Sequence, residues 1–210
     1  MLVYNDEKHL YTWNGLETPS VTQVLSRVAV KNGEHWNSIS GSEFITDHTA
    51  AEFGTAFHEV AHCIIRNVKC EYDPVLEPWV RGFKKFMKEN GIHPHNFWMY
   101  ENVVTEKPLY SKKYRYAGTA DLYLGISTEF CNSSVVYDWK TSVQFQDHFR
   151  MQLAAYDQLI KENYGVRKHI GRKCVRIFKD GYEVKDYKKT RAADWNDFLS
   201  ILNVYKKFSK

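Results

Sequence analysis

Val135-Val136-Tyr137-Asp138-Trp139-Lys140-Thr141 is the stretch on which the reading of this chain turns. Its apolar residues are β-branched or aromatic, as suits a strand in the middle of a sheet. Alternate side chains of a strand share a face, so Asp138 and Lys140 point one way and Trp139 the other. A carboxylate and an ammonium at the end of so apolar a run are costly to desolvate unless they pair or hold a metal ion. The bland alternative is a surface strand with an ion pair, and the flanking apolar residues argue against it. Upstream, Tyr116-Ala117-Gly118-Thr119-Ala120-Asp121-Leu122-Tyr123 puts Asp121 at the start of a neighbouring strand. Antiparallel pairing of the two strands across the polar stretch 126–133 brings Asp121 close to Asp138. Two carboxylates make an oxygen-rich site for a hard cation such as Mg²⁺ or Mn²⁺, with the Trp139 carbonyl as a further ligand. Phosphodiester hydrolysis uses such an ion to ready a water and to stabilise charge on phosphorus and the leaving oxygen. The Lys140 ammonium beside it would orient that water or stabilise the negative transition state.

Outward from this strand, the pattern alternates between helical and extended. Thr18-Pro19-Ser20-Val21-Thr22-Gln23 reads as a helix start, with Ser20 as cap and Gln23 closing a capping box; the helix runs to about Arg27. Residues 30–48 are polar and read as irregular. Phe53, Phe57, Val60, Ala61, Ile64 and Ile65 recur at helical spacing. A second such run extends from about Pro74 to Asn90, with Gly91 as its stop. Phe97–Thr105 reads as a strand, Tyr114–Gly125 and Ser134–Thr141 as a hairpin-like pair, and 147–163 as a helix. Strands return near 173–179 and 182–187, and a last helix runs from about Asp194 to Phe208. The expected fold is therefore a mixed α/β domain, a sheet flanked by helices, over residues 1–210. Its core motifs lie at about 51–160, with an N-terminal helical segment and a basic C-terminal region appended.

Four short motifs now stand in order: Gly54-Thr55-Ala56-Phe57-His58 on a helix, Gly118-Thr119-Ala120-Asp121 on a strand, Asp138-Trp139-Lys140 on the next, and Gln152-Leu153-Ala154-Ala155-Tyr156 on a helix. Singly each is weak. As an ordered set, the chain resembles the PD-(D/E)XK nuclease superfamily, in the branch of the RecB-type nuclease domain, phage exonucleases and the mitochondrial genome maintenance exonuclease. The resemblance implies a restriction-endonuclease-like core and cleavage of DNA, as an exonuclease acting at a free end, single-stranded ends included. It makes Asp121 and Asp138 metal ligands, with His58 a further ligand or close neighbour. Lys140 would act on the water, and Gln152 and Tyr156, four apart on one helix face, would line the site. Glu101 matches an acidic position of the branch. Some relatives hold an iron–sulfur cluster with one upstream and three C-terminal cysteines; here only Cys174 follows the core, so no cluster is expected.

Each of these residues has an ordinary alternative: a satisfied helix histidine for His58, a turn aspartate for Asp121, a core aromatic for Tyr156, a solvent-facing residue for Glu101. A different motif also overlaps the first. His58-Glu59-Val60-Ala61-His62 fits HExxH, the zinc metalloprotease signature. The extended form of that signature needs Gly and His where Ile65 and Val68 stand. A protease would also leave Asp121, Asp138 and Lys140 without a task. A non-catalytic DNA-binding module is the other alternative, and the intact Asp121, Asp138 and Lys140 argue against it.

Charge distribution supports a polyanionic partner. Residues 1–105 carry 9 Lys and Arg against 13 Asp and Glu, whereas residues 106–210 carry 20 against 12. Arg167, Lys168, Arg172 and Lys173, just past the core motifs, are the candidate contacts to the DNA backbone. The four cysteines form no CxxC pair, which leaves zinc and disulfide frameworks poorly supported. No apolar run reaches the ~18 residues of a membrane span. The start of the chain does not read as a secretory leader. The expectation is a cytoplasmic protein, in a bacterial host cell if phage-encoded, and a homo-oligomer is left open.

Overall fold

The computed structural model describes residues 1–5, 8, 10–29, 50–125, 134–167 and 169–208. The stretch read as irregular at 30–48, the connector 126–133 and Lys168 lie outside these. The chain opens with a small antiparallel sheet, β1 (Leu2–Asn5), β2 (Leu10–Trp13) and β3 (Leu16–Thr18). This corrects the expectation of a purely helical N-terminal segment. The missed signal was Asn14-Gly15 between two apolar runs: both residues take positive φ, 50° and 80°, as the tight hairpin turn requires.

Helix α1 (Val21–Ala29) follows with the capping box read from the sequence. The Gln23 amide donates to Ser20 Oγ at 3.0 Å, and the Ser20 amide donates back to Gln23 Oε1 at 2.9 Å. Helices α2 (Ala50–Ile65) and α3 (Glu77–Glu89) cover the two periodic runs; α3 is preceded by a short 3₁₀ turn at Pro74–Leu76 and ends before Gly91, at φ 67°. The expected strand at 97–105 begins inside a 3₁₀ segment, Pro94–Met99, and its paired part is β4 (Asn102–Val104). Pro94 fits a helix start, and the Asn96 and Tyr100 amides donate to carbonyls three residues back, which closes turns instead of a ladder. A strand that the sequence reading passed over, β5 (Lys107–Ser111), pairs with β6 (Tyr116–Ala120).

The main sheet is mixed, in the order β10-β9-β8-β7-β4, with β7 at Leu122–Gly125, β8 at Ser134–Lys140, β9 at Ile170–Phe178 and β10 at Gly181–Asp186. Only β8 and β9 run parallel, and α4 (His148–Tyr164) is their crossover; the other pairs are antiparallel. Helix α5 (Arg191–Phe208) closes the chain. The two faces of the sheet carry separate cores. Trp139, Tyr137, Leu122 and Ile177 pack on α2 and α3, while Val136, Tyr123, Ile170 and Cys174 pack with α1, α4 and α5. The fold is thus α/β with the sheet flanked by helices. No helix among the described residues is long and apolar enough to cross a membrane.

Candidate metal centre

The site forms where one strand changes partners. β6 and β7 are nearly continuous, broken only at Asp121. On one side, β6 pairs Ala120 with Lys107, and one further step of that register sets Glu106 opposite Asp121. On the other side, β7 pairs Leu122 with Tyr137, and one step back sets Asp138 opposite Asp121. The partner change sets one carboxylate, Asp121, between Glu106 on one side and Asp138 on the other. Asp121 is anchored there by the Trp139 amide, which donates to its Oδ2 at 2.6 Å. Glu106 reaches in through a left-handed backbone, φ 46°, a conformation that costs a non-glycine residue energy and that its amide bond to the Ala120 carbonyl helps fix.

Helix α2 brings His58 to the opening. Its Nδ1 lies 3.3 Å from Asp121 Oδ1 and 3.9 Å from Glu106 Oε1. Among the described residues, His58, Glu106 and Asp121 are the group whose ligand atoms lie mutually within 4.8 Å. Gly54, one turn earlier on α2, has only Thr141 Oγ1 near its missing side chain, at 3.7 Å, so this turn of the helix borders the end of β8.

Asp138 is fully buried on the adjacent strand. Lys140 Nζ donates to its Oδ2 at 2.8 Å, and the Cys174 thiol lies at 4.0 Å from the same oxygen. Its Oδ1 is buried with no hydrogen-bond partner. A buried anionic oxygen without a partner is expensive, so this atom is the least explained part of the centre by protein contacts alone. On α4, Gln152 Nε2 donates to Tyr156 Oη at 3.0 Å, both side chains buried. Gly118 allows that approach: a Cβ there would meet Val21 at 2.8 Å and the Tyr156 ring at 3.0 Å.

The charges tune one another. Burial opposes a charged His58, yet the Asp121 and Glu106 carboxylates outweigh it and raise its pKa to about 10. Burial also opposes ionisation of Asp121, but His58, Lys140 and the Trp139 amide hold it below the usual carboxylate range. Burial lifts Asp138 to about 6 against the pull of Lys140, with Asp121 adding to the rise. Burial lifts Glu106 to about 7 against His58. Lys140 is the reverse case: burial would neutralise it, and Asp138 and Asp121 keep it an ammonium. Burial and the Lys140 charge push His148 down to about 4. The centre is an acid-rich pocket with a fixed cation at its edge.

The structure brings together His58, Asp121, Asp138, Trp139 and Lys140, with Gln152 and Tyr156 on the neighbouring helix. Glu106 was missed, because finding it needs the β5 strand and its register. Glu101 is corrected: it is exposed, and its amide bonds the Gly125 carbonyl, at the end of β4 and β7 remote from Asp121. One member of the backbone-binding set, Arg172, is corrected too. Arg172 is 1% exposed and donates to Asp194 and the Tyr187 carbonyl, so it is closed to DNA. Lys173 sits on the opposite sheet face, its Nζ over the Tyr137 ring. Arg167 is exposed just before β9, whose first residue faces Ser134, the end of β8 far from Asp138. The HExxH pair does not converge either: His58 turns to Asp121 and Glu106, and His62 Nδ1 meets Thr105 Oγ1 at 3.1 Å. Compared with known protein families and with curated proteins, the chain matches none.

Proposed function

We propose that this chain is a divalent-metal-dependent deoxyribonuclease, hydrolysing DNA phosphodiester bonds as an exonuclease in the cytoplasm, on a restriction-endonuclease-like core. The observation that carries the reading is the buried, unpartnered Oδ1 of Asp138, one register step from Tyr137 and so opposite Asp121, which itself groups with His58 and Glu106. A bound ion is one way such an oxygen is completed. The donor set, one imidazole nitrogen and several carboxylate oxygens, fits Mg²⁺ or Mn²⁺ better than a thiolate-loving ion. His58, Glu106 and Asp121 would hold the ion, with Asp138 and the Trp139 carbonyl beside them. When bound, the ion supplies Lewis-acid stabilisation of the phosphoryl group and lowers the cost of ionising a water.

The protein's own side chains do the rest. Asp138 and Asp121 hold Lys140 as an ammonium against the effect of burial, and in that form it would orient a nucleophile and stabilise the extra negative charge of the transition state. Its place is fixed from two sides, by Asp138 at 2.8 Å and by the Phe149 ring, whose centroid is 5.2 Å away. Gln152 and Tyr156 lock each other's rotamers and present a neutral polar edge on which a phosphate can be positioned. Lys140 and His58 offset only part of the negative charge of Asp121, Asp138 and Glu106, so cleavage would depend on the added cation.

The test uses end-labelled single- and double-stranded DNA with Mg²⁺ or Mn²⁺. The wild type is expected to give product ladders that EDTA abolishes, and Asp121→Ala to give none. Undegraded DNA with the wild type, or full activity in the variant, ends the proposal.

A further inference from the structure

Part of the positive surplus of the C-terminal half gathers at residues other than those first suspected. Two segments about ninety residues apart in sequence, Lys112-Lys113-Tyr114-Arg115 in the turn between β5 and β6 and Tyr205-Lys206-Lys207-Phe208 at the end of α5, lie against each other. Lys206 Nζ donates to the Tyr114 carbonyl, which fixes its ammonium at the turn. Lys112, Lys113, Arg115 and Lys207 are exposed and Lys206 half-buried, and none is within salt-bridge distance of a carboxylate among the described residues. Arg115 holds the turn in a left-handed conformation, φ 50°. Glu162, the carboxylate felt by Lys113, is already occupied by Ser111 Oγ and Gln158 Nε2, each at 2.8 Å.

Like charges held this close work against the fold. Burial and the neighbouring Arg115 both push Lys206 below its ordinary pKa. An anion between Lys206 and Arg115 would relieve that repulsion. Aromatic rings line the same patch: Lys113 lies 4.9 Å from the Tyr114 ring centroid, Lys207 5.5 Å from Phe208, and Lys112 5.7 Å from Trp13. Interleaved cations and rings are the chemistry that tracks phosphates and stacks unpaired bases.

We propose that this patch is a second DNA contact, gripping the strand away from the metal centre. The choice of DNA as the polyanion rests on the nuclease reading. Arg115 and Asp121 are six residues apart along β6, an extended separation of about 20 Å. At about 3.4 Å per phosphate of a B-form strand, that spans about six nucleotides. Short substrates would reach the centre alone, and longer ones would engage both.

The test measures anisotropy of a labelled single-stranded oligonucleotide of about 20 nucleotides in EDTA, where hydrolysis is off. The triple variant Lys113→Glu, Arg115→Glu, Lys207→Glu is compared with a control of equal charge change, Lys84→Glu, Lys85→Glu, Lys88→Glu, on exposed positions of α3. Circular dichroism checks that both are folded. The patch variant is expected to bind at least about tenfold more weakly, with a shallower salt dependence, and the control to change less than about threefold. Equal losses in the two variants, no loss in the patch variant, or no binding by the wild type overturns the proposal. Hydrolysis of bis(p-nitrophenyl) phosphate with Mn²⁺ separates the two readings. The patch variant should keep it, because the ester is too small to span the distance. A wild type that binds through the patch but hydrolyses nothing sinks the nuclease reading and leaves the patch standing as a polyanion site.

Discussion

Two buried charged clusters flank the same sheet, and they are built to opposite rules. Behind β9, Asp194 is wholly buried and both its oxygens are filled: Arg150 donates to Oδ1, and Arg172 and Thr190 to Oδ2, each at 2.8 Å. Arg150 also bridges to Asp197 at 2.7 Å. Cations and anions there balance, and the network ties α4, β9 and α5 together. At the end of β8, three carboxylates face His58 and Lys140, and one buried oxygen of Asp138 has no partner. In the first cluster the protein fills both oxygens of the central acid, with Arg172 Nε the one buried atom left over, and the cluster serves architecture. The second is acid-rich and leaves a carboxylate oxygen unfilled, the arrangement on which the metal proposal rests.

The comparison breaks first on stability. Asp194→Ala leaves two guanidinium groups facing an empty acceptor inside the protein and is expected to cost about 3–5 kcal/mol, read as a lower urea midpoint. Asp138→Asn removes a charge that the fold desolvates without completing. Its expected effect on the metal-free protein is a stability equal to or above wild type. If both variants destabilise alike, the two clusters do not differ in kind.

Activity should divide the clusters the other way. Lys140→Ala is expected to lower DNA hydrolysis by about 10² to 10³ while the melting temperature stays near that of the wild type. Arg150→Ala, by contrast, should leave turnover per folded molecule intact and lower the melting temperature. A Lys140→Ala enzyme with wild-type turnover would remove the fixed ammonium from the mechanism.

Much of this was legible in the sequence, for reasons that single residues make plain. The apolar alternation around Asp138 set both the strand and the shared face of Asp138 and Lys140. Ser20 and Gln23 declared a helix start through local hydrogen bonds alone. Asp121 and His58 could be named because short motifs carried them. What failed was long-range. Glu106 needs the register of β5 on β6, and nothing local in Val104-Thr105-Glu106-Lys107 announces a left-handed turn. Arg172 looked like a surface cation in a basic run, because its partner Asp194 lies 22 residues away and only packing brings them together. Arg167 and Lys173 lie away from Asp138, one past the Ser134 end of β8 and one on the other sheet face. The patch at Lys206 and Arg115 joins segments that no local pattern relates.

A smaller effect should follow pH. Asp138 and Glu106 have folded pKa values raised to about 6 and about 7, and His58 to about 10. Each group therefore holds its proton more firmly folded than unfolded. The stability this confers is full at low pH and is lost as pH rises through the folded values. Without metal, the protein should lose stability between about pH 4 and pH 10, with Asp138 alone worth on the order of 3 kcal/mol. Asp121, shifted the other way, matters only below the usual carboxylate range. A bound cation replaces those protons. Saturating Mn²⁺, at about a hundred times its Kd, should add about 2.7 kcal/mol, and more at pH 8 than at pH 5 because protons compete for the same oxygens. Thermal melts in EDTA and in Mn²⁺ across this range check both signs. An EDTA series that gains stability toward alkaline pH would show that the acidic pocket is not held protonated.

The smallest effect is the sharpest test of position. Glu101 and Glu106 bracket the same short strand β4, one before it and one after, and a motif-based alignment chooses between them blindly. Geometry does not. Glu101 stands in solvent beside Gly125, whereas Glu106 is turned inward to His58 at 3.9 Å by a backbone that only a strong local constraint sustains. Glu101→Gln should therefore change hydrolysis by less than about twofold and leave the Mn²⁺-induced rise in melting temperature unaltered, as surface substitutions do. Glu106→Gln preserves shape but removes one anionic oxygen from the ligand group, so metal affinity and rate should both fall by about tenfold or more. If Glu101→Gln produces the larger loss, the third acid of the centre has been placed on the wrong side of β4, and the register from Lys107 to Ala120 that sets Glu106 against Asp121 is the step that failed.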